Sequence, residues 1–148
     1  IVREDLEVTL LDSLNKRITF LNDVIEKLGL KKITAVHSRA EDGGRNPLYR
    51  EKFDISCARA VAAMPVLLEY CAPFVKVGGK FVSMKGPGAE EEVALCKNAM
   101  KQLGVQQPTI ICETLTGNET RTFVSFKKIS QTPPKFPRNS GKIAKQPL

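Results

Sequence analysis

Apolar residues recur along this chain with a strand-like or a helix-like period, and the order of those periods predicts its elements. Val8 to Leu11 is an apolar run of the buried-strand type. Ser13 stands where a helix cap belongs, and Leu14, Ile18, Leu21, Ile25 and Leu28 then keep the 3.6-residue period up to Gly29. Ile33 to Val36 reads as a second short strand. The polar stretch from Glu41 to Glu51, with Gly43, Gly44 and Pro47, predicts a loop with room for one helical turn. Phe53 to Ala58 predicts a third strand. Pro65 then suits the first turn of a helix carrying Val66, Leu67, Tyr70, Cys71 and Phe74. Gly78-Gly79 predicts a turn into a fourth strand, Lys80 to Met84, which Lys85-Gly86-Pro87-Gly88 ends. Ala89, Val93, Cys96, Met100 and Leu103 share one face of a further helix closed by Gly104. Thr109–Glu113 and Thr122–Phe126 predict an antiparallel hairpin about a Gly117-Asn118 turn. Beyond Thr132, the prolines at 133, 134, 137 and 147 are expected to exclude helix and central strand.

That succession is α/β, and no internal repeat interrupts it. A doubly wound, Rossmann-like sheet finished by an antiparallel hairpin is typical of class I S-adenosylmethionine-dependent methyltransferases. Dinucleotide dehydrogenases usually continue with parallel units. The length suits one domain, expected as a methyltransferase part over residues 1–128 and a basic, proline-rich tail over 129–148.

Composition changes the picture in three places. With 42% hydrophobic and 26% charged residues the chain has the make-up of a soluble globular protein, and no apolar run approaches the roughly 20 residues of a membrane span. The net charge of +7 is concentrated at one end: residues 127–148 hold six lysines and arginines and no acid. Such a segment is either a solvated terminus or an arm that binds nucleic-acid phosphates by releasing counterions. Cys57, Cys71, Cys96 and Cys112 have no zinc-type spacing and sit in apolar surroundings, so they are expected to be buried hydrophobes of a reducing compartment, with no metal. His37, the single histidine, has no evident partner in the sequence.

The candidate chemistry begins at Asp12. A carboxylate at the C-terminal tip of a parallel strand is where α/β folds hold ribose hydroxyls, and Lys16 and Arg17 follow within a turn. The same residue in the same place also serves as an ordinary helix cap, so both readings stand.

Ordered motifs narrow the choice. They are Leu11-Asp12-Ser13-Leu14-Asn15-Lys16-Arg17, Ser38-Arg39-Ala40-Glu41, Asp54 to Ala62, Met84-Lys85-Gly86, Glu119-Thr120-Arg121, and the tail Thr132-Pro133-Pro134-Lys135-Phe136-Pro137-Arg138. Over essentially the whole chain they resemble the family of ribosomal RNA small subunit methyltransferase G, also called glucose-inhibited division protein B. The resemblance implies transfer of a methyl group from S-adenosylmethionine to N7 of a guanosine in 16S ribosomal RNA, on free RNA or the small ribosomal subunit, in the cytoplasm. It implies that Asp12 and Ser13 meet the cofactor ribose, that Ala40 and Glu41 line the adenine pocket, and that Arg59 lies near the methionine end. Lys16, Lys85, Arg121, Lys135 and Arg138 are implied RNA contacts. No catalytic acid or base is expected, because N7 already carries an in-plane lone pair.

The family's first strand and glycine-rich loop would fall upstream of Ile1. The chain is therefore expected to be the C-terminal portion of such an enzyme, aggregation-prone or rearranged when isolated, and binding the cofactor weakly or not at all. A noncatalytic RNA-binding remnant is the alternative, and a dehydrogenase half-domain a more distant one.

Overall fold

The computed structural model describes residues 1–59, 61–114 and 120–148. They form two compact units, Ile1–Asp42 and Gly43–Leu148.

The first unit is a β-α-β crossover. Strand β1 (Val8–Asp12) and strand β2 (Ile33–His37) pair in parallel with Val8 opposite Ile33 and Asp12 opposite His37. Helix α1 (Asn15–Lys27) connects them, as a parallel pair requires. Its periodic face turns Ile18 fully inward, while Leu14 and Leu28 at its ends stay exposed. Gly29, at φ +61°, takes the left-handed conformation that stops the helix. A single turn, α2 (Ala40–Gly43), follows β2, as the polar stretch allowed.

The second unit is built on a four-stranded sheet of order β3-β4-β6-β5. Strand β3 (Phe53–Arg59) runs parallel to β4 (Val75–Lys85), and β6 (Thr120–Lys127) is antiparallel to both β4 and β5 (Thr109–Thr114). The expected hairpin is therefore present, while its Gly117-Asn118 turn lies outside the described residues. Helix α3 (Met64–Cys71) starts with Pro65 in its first turn, as predicted, and passes through a 3-10 turn (Ala72–Phe74) into β4. Met64, Leu67 and Leu68 of α3 join Phe81, Val124 and Phe126 of the sheet in one core, where the rings of Phe81 and Phe126 stack 5.9 Å apart.

Four expectations are corrected. Gly78-Gly79 lies inside β4, not before it: the register jumps from Phe53↔Val75 to Ile55↔Lys80, so the glycines form an irregularity within the strand. The Gly78 amide donates to the Lys128 carbonyl and the Gly79 carbonyl accepts from the Lys128 amide, which pins the irregular segment to the chain beyond β6. The helix expected over 89–103 is two, α4 (Ala89–Ala94) and α5 (Lys97–Leu103), the apolar face continuing across the break because Cys96 is still buried. The tail does contain a helix, α6 (Ser140–Lys145): it falls between Pro137 and Pro147, and the Asn139 side chain accepts from the Lys142 amide at its start. Finally, Cys96 is buried and Cys71 half-buried, but Cys57 and Cys112 are exposed. Both lie on strands, where an apolar run does not say which face a residue takes.

Gly79 has no room for a side chain. A Cβ there would stand 2.5 Å from the Asp54 carbonyl oxygen and 2.8 Å from Val75 Cγ1. Gly79→Ala is expected to destabilise the second unit by about 1–3 kcal/mol through overpacking, read as a lower urea midpoint at unchanged slope.

Candidate functional site

In the first unit the candidate residues gather at the C-terminal end of the parallel pair. Asp12 closes β1 opposite His37, and Ala40 and Glu41 come three and four residues after His37, in the turn that follows β2. This is the edge where open α/β sheets place their ligands. Asp12 Oδ1 accepts the Leu14 amide at 2.8 Å and Oδ2 accepts from Arg17 Nη1 at 3.0 Å. The carboxylate, not Ser13, is thus the side chain that bonds the start of α1: Leu14 is the cap residue, and Ser13 is exposed and makes no side-chain bond to the helix. The short Asp side chain reaches the amide two residues on, an Asx turn. His37 does have a partner, since its Nε2 lies 3.0 Å from the Ser13 carbonyl oxygen and ties the tip of β2 to the turn after β1.

The Leu14 amide, with the Arg17 guanidinium, holds the Asp12 carboxyl below the usual carboxylate range. Because its folded-state value is depressed, the stability it contributes is complete above the unfolded value near 3.8 and is lost as pH falls through the lower folded value. The Asp12 carboxyl carbon shift should therefore titrate below pH 3.8, and Asp12→Asn should flatten the acid limb of the stability curve in that range. Of about four acceptor positions on a carboxylate, the two described bonds occupy two. Room for a further donor remains.

Glu41 is buried and stands 3.7 Å from Arg39. Ala40 beside it is half-buried, and Lys16 is exposed in the first turn of α1.

In the second unit, Arg59 is the exposed last residue of β3, paired in register with Met84. Lys85 ends β4, but its ammonium is turned into the fold: Nζ donates to Glu92 Oε2 and to the Ala62 carbonyl, each at 2.8 Å. The same Glu92 oxygen accepts the Met64 amide at 2.7 Å. Lys85 and Glu92 together anchor the segment between β3 and α3 to α4. Arg121 is exposed on β6 opposite Glu113.

Lys135 is exposed, with Nζ 5.0 Å from the centroid of the Phe136 ring. Arg138, in contrast, is taken up inside the protein. Its backbone amide and its Nε reach Glu69 Oε1 at 2.8 Å, its Nη2 reaches Oε2 at 2.6 Å, and Nη2 also donates to the Gln146 carbonyl. Glu69 itself has no exposed surface. The tail is thus neither a solvated terminus nor a loose arm: Phe136, Pro137 and Ile143 are buried and Arg138 is clamped.

Sequence reasoning passed over several residues that set this geometry. Arg50 donates to the carbonyls of Gly44, Thr132, Pro133 and Phe136, and Arg45 to that of Pro137. Lys128 is buried and donates to Glu51, to Thr132 Oγ1 at 2.5 Å and to the Ala72 carbonyl at 2.9 Å. Burial pulls its ammonium below the usual lysine value, with Glu51 opposing. No local pattern marks such residues, since their partners lie up to 92 positions away. Among the described residues, no group of His, Cys, Asp and Glu could hold a metal ion. None of the helices among the described residues is long and apolar enough to cross a membrane.

A family model described as rRNA small subunit methyltransferase G matches residues 1–139. The chain is 52% identical over its whole length to the ribosomal RNA small subunit methyltransferase G of Lactobacillus delbrueckii subsp. bulgaricus, and 55% identical to that of Acetivibrio thermocellus. It spans 62% and 61% of those relatives' lengths. Among solved structures it resembles the 16S rRNA (adenine(1408)-N(1))-methyltransferase from Catenulisporales acidiphilia, with a TM-score of 0.67 at 15% identity over 90% of this chain and 76% of that one. It also resembles an rRNA methylase from Streptococcus thermophilus, with a TM-score of 0.57 at 16% identity over 84% and 74% of the two chains. These likenesses show an α/β fold shared with those two methyltransferases.

Proposed function

We propose that this chain, which belongs to the rRNA small subunit methyltransferase G family, serves in an enzyme that methylates N7 of a guanosine in 16S ribosomal RNA with S-adenosylmethionine. The observation that carries this reading is the Asp12 carboxylate. It is kept ionised at the C-terminal tip of a parallel strand, with acceptor capacity to spare.

Asp12 would hold the ribose hydroxyls, with Ser13 beside it, and Ala40 and Glu41 would line the adenine side. Arg59 is assigned to the methionine end on the family motif alone. When bound, the cofactor supplies an electrophilic methyl group on its sulfonium. The chain's residues then have to bind and orient: guanine N7 is already nucleophilic, so no side chain is assigned to proton transfer and rate comes from alignment.

On the RNA side the proposal assigns contact to the exposed Lys16, Arg121 and Lys135. Lys85 and Arg138 hold internal ion pairs and are given positioning roles instead. The reading places the enzyme in the cytoplasm, acting on the RNA or the small subunit.

Asp12→Ala in the protein that carries this chain is expected to weaken S-adenosylmethionine binding by about 1–3 kcal/mol by calorimetry, with Asp12→Asn milder. Unchanged affinity in Asp12→Ala would leave the residue as a cap and sink the ribose assignment. Mass spectrometry of 16S ribosomal RNA after incubation with protein and cofactor tests the activity directly, through the appearance of N7-methylguanosine.

A further inference from the structure

Residues 129–148 contain no acidic side chain, and a basic segment of that kind is ordinarily mobile. Here the body of the second unit fastens it at successive points, through Arg50, Arg45 and Glu69. The fastening leaves a pocket of about 280 Å3 lined by Gln102, Lys135, Phe136, Arg138, Lys142 and Leu148. No acidic side chain lines it, and the one guanidinium in its wall is already neutralised by Glu69. The electropositive groups it offers are therefore the ammoniums of Lys135 and Lys142, both on exposed side chains and neither ion-paired among the described residues. Its volume is just under the roughly 300–1,000 Å3 of pockets for whole small molecules, so it suits a compact group.

Two lysines and a primary amide lining one small space suit a tetrahedral oxyanion, since lysine binds phosphate as a point charge and Gln102 Nε2 keeps one N–H beyond its bond to Asn98 Oδ1. We propose that this pocket seats a backbone phosphate of the RNA, held by Lys135 and Lys142 with Gln102 as a third donor. Arg138 acts as a positioning residue for the pocket wall. The inference rests on the reading of the protein as an RNA methyltransferase and adds where the RNA backbone docks. Because the tail is ordered by the fold itself, its ordering entropy is not charged to binding.

The test uses the protein carrying the whole chain and a transcript of 16S ribosomal RNA, with affinity followed as salt is raised. Lys135→Ala with Lys142→Ala should reduce the slope of log affinity against log salt by about 0.7, the loss of one phosphate contact on single-stranded RNA. Cofactor affinity and the urea midpoint should not move, because both side chains are exposed. Lys27→Ala with Lys31→Ala, an equal charge loss in the first unit, should leave the slope unaltered. An unchanged slope in the Lys135/Lys142 variant, beside wild-type binding, overturns the docking site and leaves the RNA reading intact. Wild-type protein that binds no RNA overturns both. Phosphorus NMR with inorganic phosphate separates the sources: phosphate binding lost in the variant while the RNA slope stays put would make this a free-anion pocket and refute the proposal.

Discussion

Arg138→Ala is expected to cost about 3–5 kcal/mol of stability, the largest effect of any single substitution considered for this chain. The magnitude follows from Glu69, not from Arg138. Glu69 sits on α3 with no exposed surface, and the Arg138 side chain supplies both its charge balance and three hydrogen bonds, two from Nε and one from Nη2, while the Arg138 amide, which truncation keeps, supplies a fourth. Truncating the arginine strands a buried carboxylate. Glu69→Leu combined with Arg138→Leu should lose less than Arg138→Ala alone, because no unpaired carboxylate is then buried on α3. Urea unfolding of the three proteins decides it: a loss under 1 kcal/mol for Arg138→Ala would show that the carboxylate finds water or another donor.

The second large effect is expected at Lys128. Replacing it with Met keeps the volume but leaves the Thr132 hydroxyl oxygen without its donor, takes from the Ala72 carbonyl one of two donors (the Val75 amide stays) and removes the partner of Glu51. A loss of about 3 kcal/mol is expected, near the lower end for breaking a buried pair, because Glu51 keeps the Thr132 amide. The loss should be local first. Hydrogen exchange at the amides of 129–138 should quicken before that of β4 and β6, and uniform quickening throughout the second unit would contradict this order.

Periodicity made the elements legible, and chemistry made part of the site legible. The 3.6-residue spacing from Leu14 to Leu28 and the glycine after it located α1, because an amphipathic helix writes its buried face into local sequence. The hairpin of β5 and β6 was visible for the same reason. What local sequence could not show was pairing at a distance. Gly78-Gly79 reads as a turn until its partner, Lys128, is known, and the break at Leu95–Cys96 leaves no mark because the apolar spacing carries on through it. At the site, Asp12 was found by its place at a strand tip, yet the choice of Asp12 over Ser13 as the group bonded to α1 depends on a side-chain rotamer. Lys85 and Arg138 show the limit most plainly: a basic residue in a motif looks the same in sequence whether its charge faces RNA or a buried glutamate.

Arg50 grips the tail only through main-chain carbonyls, at Thr132, Pro133 and Phe136. Every amino acid carries that acceptor, so the grip does not depend on which side chains stand between Thr132 and Phe136. Pro134 and Lys135, both exposed, can therefore be exchanged for other chemistries, a fluorophore or a cross-linker among them, while the backbone keeps its course. The segment behaves as a fixed rail on which different side chains can be mounted. An engineer can use that to report on, or to redirect, what this face of the protein touches.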